Sequence, residues 1–143
     1  MKIAIGCDHA AFIEKQKILK FLEKLGHIVV DVGTYSSESV NYPQYGHDVA
    51  NKVVNDEVDK GLVICGSGIG ISIAANKIKG ARAALCTSID HAVMSRKHND
   101  ANILALGSRM TDYKLIEKII SVWLNTKFEG GRHLNRINMI EVV

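Results

Sequence analysis

The residues that could do chemistry in this chain gather around one stretch, Gly61-Leu62-Val63-Ile64-Cys65-Gly66-Ser67-Gly68-Ile69-Gly70. An apolar run ends in a cysteine, and a glycine-rich turn follows at once. Glycine has no Cβ, so the turn can take positive φ and bring its backbone close to a bound molecule. The turn leads into a helix, where free N–H groups converge on an anion. A thiol beside such a cradle offers a base or nucleophile, and the amides offer an oxyanion or phosphate site. The bland reading is a tightly packed strand-to-helix turn with a core thiol. Other polar clusters also follow apolar runs: Asp8-His9, Thr87-Ser88 and Gly107-Ser108-Arg109. His98 and Asn99 end a helical stretch, where a histidine balances the dipole and an asparagine caps. Arg132 and Arg136 are four apart, so a helix would place them on one face. Taken alone they read as solvated surface.

Those residues need elements to hold them. Residues 2–7 are an apolar run that predicts a first strand. Over 10–25, Phe12, Ile13, Ile18, Leu19, Leu22 and Leu25 recur at three- and four-residue intervals, which predicts a helix stopped by Gly26. Residues 28–32 are rich in β-branched side chains and predict a second strand. A serine-rich loop over 33–42 leads to Pro43, the only proline, suited to a first helical turn, with helix over 48–58. The third strand covers 62–65 and a helix 69–77. A fourth strand over 82–86, a helix over 89–98 with Ser88 as N-cap, a fifth strand over 101–106 and an amphipathic helix over 112–124 follow. The tail carries Gly130, Gly131, Arg132, His133 and Arg136, then an apolar end.

This β-α alternation, with strands that are continuous apolar runs, predicts an α/β fold: a three-layer α/β/α sandwich around a five-stranded parallel sheet, Rossmann- or flavodoxin-like, with a C-terminal helical tail. In such sheets ligands sit outside the C-terminal strand ends, where the Asp8, Cys65, Thr87 and Arg109 clusters fall.

At 143 residues, one domain over 1–143 is expected. A 47% hydrophobic and 23% charged composition is ordinary for a globular chain. A formal charge of +3 without a basic run does not suggest nucleic acid. Cys7, Cys65 and Cys86 have no metal or redox spacing, and an odd count fits a reducing cytoplasm better than a disulfide scaffold. No run approaches a membrane span. The glycine loop lacks the third glycine of a dinucleotide fingerprint, since position 71 is Ile71, and lacks the Gly-Lys-Ser/Thr of a P-loop. A flavodoxin-type electron carrier would need a phosphate loop after the first strand. No His/Cys/Asp group has metal-ligand spacing.

Four motifs occur in order: Gly6-Cys7-Asp8-His9-Ala10-Ala11, Cys65 through Lys77, Arg96-Lys97-His98-Asn99-Asp100-Ala101-Asn102, and Gly131-Arg132-His133-Leu134-Asn135-Arg136. Together they resemble the type B ribose-5-phosphate isomerase family, which includes galactose-6-phosphate isomerase subunits and enzymes active on allose 6-phosphate. The resemblance runs over essentially the full length. It implies reversible conversion of ribose 5-phosphate and ribulose 5-phosphate through a cis-enediolate, in the pentose phosphate pathway, with no metal or cofactor. It makes Cys65 the proton-abstracting base; where some members use a glutamate further along the loop, this chain has Ile71. Gly66, Gly68 and Gly70 become the enediolate cradle, and Ser67 stands where relatives often have threonine. His98 becomes the ring-opening histidine with Asp8 as partner. Asn99 becomes a substrate amide, Arg132 and Arg136 phosphate ligands, and His9 and Arg109 further phosphate contacts. Tyr42 lines the sugar pocket. Cys7 and Cys86 are read as structural. The resemblance also implies a homodimer or homotetramer with shared active sites, a sugar phosphate as the small-molecule partner, and neither nucleic acid nor membrane. A hexose 6-phosphate isomerase and a non-catalytic sugar-phosphate-binding module are the competing readings.

Overall fold

Strands β1 (Lys2–Cys7), β2 (Ile28–Asp31), β3 (Lys60–Cys65), β4 (Ala83–Leu85) and β5 (Ile103–Gly107) form one sheet. Every pairing is parallel, and the order is β2-β1-β3-β5-β4. The computed structural model describes residues 1–142. Successive side chains of a strand point to opposite faces, so each apolar run feeds two cores. Ile3, Ile5, Leu62, Ile64, Leu104 and Leu106 face one layer, where Ile18, Leu22, Ile116, Ile119, Ile120 and Trp123 meet them. Ala4, Val63, Cys65, Ile103 and Ala105 face the other, against Val49, Ala50, Val53, Ile71 and Ala75. Each such large apolar side chain removed from water contributes about 1.5–3 kcal/mol.

The helices are α1 (Phe12–Lys24), α2 (Tyr42–Val54), α3 (Ile69–Asn76), α4 (Ile89–Asn99), α5 (Tyr113–Asn125) and α6 (Arg132–Asn138). The three-layer sandwich follows: α1, α4 and α5 cover one face, α2 and α3 the other. The short α6 packs on α4. From β1 the chain steps one way to β2 and the other way to β3. That reversal opens a crevice at the C-terminal ends of β1 and β3, bounded by Asp8 and Cys65.

Several boundaries differ from the sequence expectation. Residues 10–25 do not form one helix. Asp8 caps a 3-10 turn at His9–Ala11 by accepting from the Ala10 amide, and the α-helix begins at Phe12 after Ala11 leaves helical geometry (φ −115°, ψ 12°). The helix placed at 48–58 begins at Tyr42, with Pro43 in its first turn, and ends at Val54. Asp56 has φ +57°, which an α-helix cannot continue through. A Lys52–Glu57 ion pair at 2.8 Å spans that turn. The fourth strand keeps only Ala83–Leu85, because β4 is an edge strand paired with β5 alone.

Candidate active site

The Cys65 loop is built as the glycines require. Gly68 has φ +77° and is the N-cap of α3. A Cβ there would lie 2.5 Å from Leu85 Cδ1 and 2.8 Å from the Leu106 carbonyl carbon, so both conformation and space demand glycine. Gly107 plays the matching part from β5, where a Cβ would lie 2.5 Å from the Ser67 oxygen. Cys65, 5% exposed, ends β3 with its Sγ turned back under the loop. The Gly68 N–H donates to that sulfur at 3.1 Å. The Ile69 N–H donates to Ser67 Oγ at 3.1 Å. Among the described residues, the Gly66, Ser67 and Gly70 amides have no acceptor within the chain. They form an open donor cluster at a helix start, suited to an oxyanion.

Other foreseen residues border this loop. The Tyr42 ring lies on Gly70, where a Cβ would meet Tyr42 Cζ at 2.5 Å. The Arg109 guanidinium lies over Gly66, with Nη1 3.5 Å from a Cβ built there. Asp8 is 7% exposed, and its own N–H donates to the Ile64 carbonyl at 3.2 Å. His9 Nδ1 accepts from the Val40 N–H at 3.1 Å, which ties the 33–41 loop to the crevice. Ser108, part of a cluster noticed in the sequence but given no role, locks the turn: its N–H reaches the Cys65 carbonyl at 2.9 Å and its hydroxyl the Ala10 carbonyl at 3.1 Å.

His98, Asn99, Arg132 and Arg136 are elsewhere. α4 runs antiparallel to the strands between β4 and β5, so its last turn reaches the N-terminal edge of the sheet. The Asn99 carbonyl accepts from Arg82 Nε just before β4. Asp8 and Cys65 lie at the opposite edge, and one chain does not bring His98 to Asp8. Around His98 there is a second cluster. Arg132 and Arg136 are both exposed on one face of α6. His133 points inward at 6% exposure and stacks on His98, with ring centroids 4.3 Å apart and planes 15° from parallel. Glu129 faces His133 Nε2 at 3.7 Å and Lys97 at 3.6 Å. Sequence reading gave His133 and Glu129 no role; Glu129 lies before α6, so helical spacing offered no signal for the pair.

Donor atoms of His98, Glu129 and His133 lie within 4.8 Å of one another, a grouping that linear spacing did not disclose. Imidazole lone pairs lie in the ring plane, and two stacked planes share no point at which one ion could meet both. As built, the cluster is a stacked pair and not a chelate. Burial, then the adjacent His98, holds the His133 imidazole below its usual range. Burial pushes the Cys7 thiol up to about 12 and the Cys86 thiol up to about 11, so both are inert, as a structural role requires. Two grooves open away from the Cys65 loop. One of about 440 Å³ runs beside β2, lined by Tyr35 and Asp48 among others. One of about 320 Å³ lies between Asn76, Arg82, Asn99 and Ile140.

Residues 3–140 match the family described as Ribose/Galactose Isomerase. The chain belongs to that family. Ribose-5-phosphate isomerase B of Escherichia coli is 49% identical over 142 residues, spanning 99% of this chain and 95% of that protein. Galactose-6-phosphate isomerase subunit LacB of Clostridium acetobutylicum is 44% identical, spanning 96% of this chain and 79% of that one. Among solved structures, ribose-5-phosphate isomerase B of Clostridium thermocellum is 53% identical with a TM-score of 0.97 over 98% of this chain and 95% of that one. A ribose 5-phosphate isomerase from Thermotoga maritima is 48% identical with a TM-score of 0.97, over 99% of this chain and 98% of that one. As a member of the ribose/galactose isomerase family the chain keeps the α/β sandwich and the helical tail in full. No helix among its described residues is long and apolar enough to cross a membrane.

Proposed function

We propose that this chain is an aldose–ketose isomerase that interconverts ribose 5-phosphate and ribulose 5-phosphate. The observation that carries the reading is the Cys65 loop: a thiol under a glycine turn, beside three amides without acceptors. In the reaction the Cys65 thiolate takes the proton from the carbon next to the carbonyl. The electron pair moves to the carbonyl oxygen and gives an enediolate, whose charge the Gly66, Ser67 and Gly70 amides hold. The resulting thiol returns the proton to the former carbonyl carbon. The Ser67 hydroxyl carries the remaining proton between the two oxygens. No atom is gained or lost, which is what an isomerisation requires.

The other roles rest on the same reading. Arg109 and Tyr42 flank the loop and suit a phosphorylated sugar lying across it, with His9 as a further phosphate donor. His98 opens the furanose with Asp8, Asn99 binds the sugar, and Arg132 and Arg136 take the phosphate, a pair of forked guanidiniums suited to its oxygens. These residues lie at the other edge of the chain, so the reading requires that a second copy supply them. We therefore propose a homodimer, or a homotetramer of such dimers, with each site shared. The exposed Met139 and Ile140, beside the half-buried Ile137, fit such an assembly, and a reducing cytoplasm fits three free thiols.

The test is formation of ribulose 5-phosphate by the purified protein without added metal, beside Cys65→Ala, with allose 6-phosphate and galactose 6-phosphate in parallel. Activity on ribose 5-phosphate lost in the variant supports base and substrate together. Activity only on a hexose phosphate moves the enzyme to the second reading, which the galactose-6-phosphate isomerase relative favours. Activity that survives the variant overturns Cys65 as base.

A further inference from the structure

We infer that His133 is a positioning residue, whose ring stacks on His98 and holds it in the orientation that ring opening needs. The inference rests on the reading of His98 given above. α6 is short and exposed, yet one of its side chains, His133, is buried. It lies flat on His98, 4.3 Å away and 15° from parallel.

Opening a furanose moves a proton from the anomeric hydroxyl and delivers one to the ring oxygen. The histidine that serves this exchange must aim one nitrogen edge at the sugar. His98 sits on the last turn of a helix and is only half-buried, so its own helix leaves the ring free to turn. A neighbour against its face removes that freedom and leaves the edge available. The groups around the pair fit this use. Glu129 faces His133 Nε2 at 3.7 Å and is held by Lys97 at 3.6 Å. Arg132 and Arg136 flank His133 on α6 with their charges outward. A buried, uncharged His133 gives His98 a π-face that tolerates both the neutral and the charged ring. The same short helix thus carries the two exposed phosphate arginines and the buried histidine support. Phosphate position and ring-opening geometry are set by one element.

The experiment separates proton transfer from ring opening in the full-length, assembled enzyme. Ribose 5-phosphate is a furanose, whereas ribulose 5-phosphate cannot close a ring, so exchange of its reacting C1 hydrogen with solvent deuterium needs the Cys65 chemistry and no ring opening. The fixed equilibrium constant makes net interconversion fall equally in both directions, and the exchange is the independent readout. For His133→Ala we expect kcat on ribose 5-phosphate to fall about tenfold or more, deuterium exchange into ribulose 5-phosphate to fall less than about threefold, and KM to stay within about twofold because both arginines remain. His133→Phe keeps a flat buried ring and restores kcat on ribose 5-phosphate to within about threefold of the parent. Exchange that falls as far as interconversion, a rise in KM with kcat intact, or a Phe variant no better than Ala overturns the inference. His98→Ala serves as the control. If it loses interconversion while keeping exchange and His133→Ala does not, the inference fails alone. If exchange and interconversion fall together in it, the reading of His98 fails and takes the inference with it. In the His98→Ala background, removing His133 as well costs nothing further, since coupled residues do not add.

Discussion

Three thiols of one chain meet different fates at the scale of single residues. Cys7 is fully buried, and burial raises its thiol to about 12; Cys86 is raised to about 11. A small alkylating reagent at pH 8 is therefore expected to label Cys65 while Cys7 and Cys86 stay free until the protein is unfolded, as peptide mass spectrometry would show. The same shifts set an alkaline limit. Below pH 9 these thiols are protonated both folded and unfolded. Above it the unfolded chain ionises them and the folded chain does not, so stability declines from pH 9 towards about 12. Denaturant melts at pH 8 and 10 should show the decline, and a Cys7→Ser variant should show less of it. Gly68→Ala forces a Cβ within 2.5 Å of Leu85 at φ +77°; activity is expected to fall about a hundredfold or more as the amide cradle shifts. The Cys65 loop was legible in the sequence because all its parts are contiguous. His133 was not, because the partner that gives it meaning is on another helix.

At the scale of elements, the 33–41 loop is secured by a lysine that looks solvent-bound in the sequence. Lys15 is fully buried, pairs with Asp31 at 2.6 Å and donates to the Thr34 carbonyl at 2.6 Å. Lys15→Ala leaves the Asp31 carboxylate with only the Gly33 N–H, at 2.9 Å, and the Thr34 carbonyl without the ammonium; it is expected to cost about 3 kcal/mol, the lower end for breaking a buried pair. Lys15→Met refills the space but not the bonds, so it too is expected to lower the melting temperature, and limited proteolysis should then cut within 33–41. Periodicity placed α1 on the right stretch but could not show that Lys15 points inward, since charge alone says surface. It also ran α2 past Val54, because apolar Val58 continues the pattern while Asp56, at φ +57°, breaks the helix. Apolar runs located all five strands, since both faces of a parallel sheet are covered.

At the scale of the whole molecule, alternation of strands and helices carried the sandwich, and the switch between β1 and β3 located the crevice. The strand order was beyond the sequence: local pattern does not tell that β5 inserts between β3 and β4. Nor does it tell that His98 ends at the sheet edge opposite Cys65, which follows only once α4 is seen to run back along the sheet. That separation has a genetic consequence. A chain lacking Cys65 still carries an intact His98 end, and a chain lacking His98 still carries an intact Cys65 loop. On the proposed sharing of each site between two copies, two such defective alleles, each silent alone, should complement when their products are unfolded together and reassembled. With random pairing in equal amounts about a quarter of the parental turnover should return; a site complete within one chain would return none.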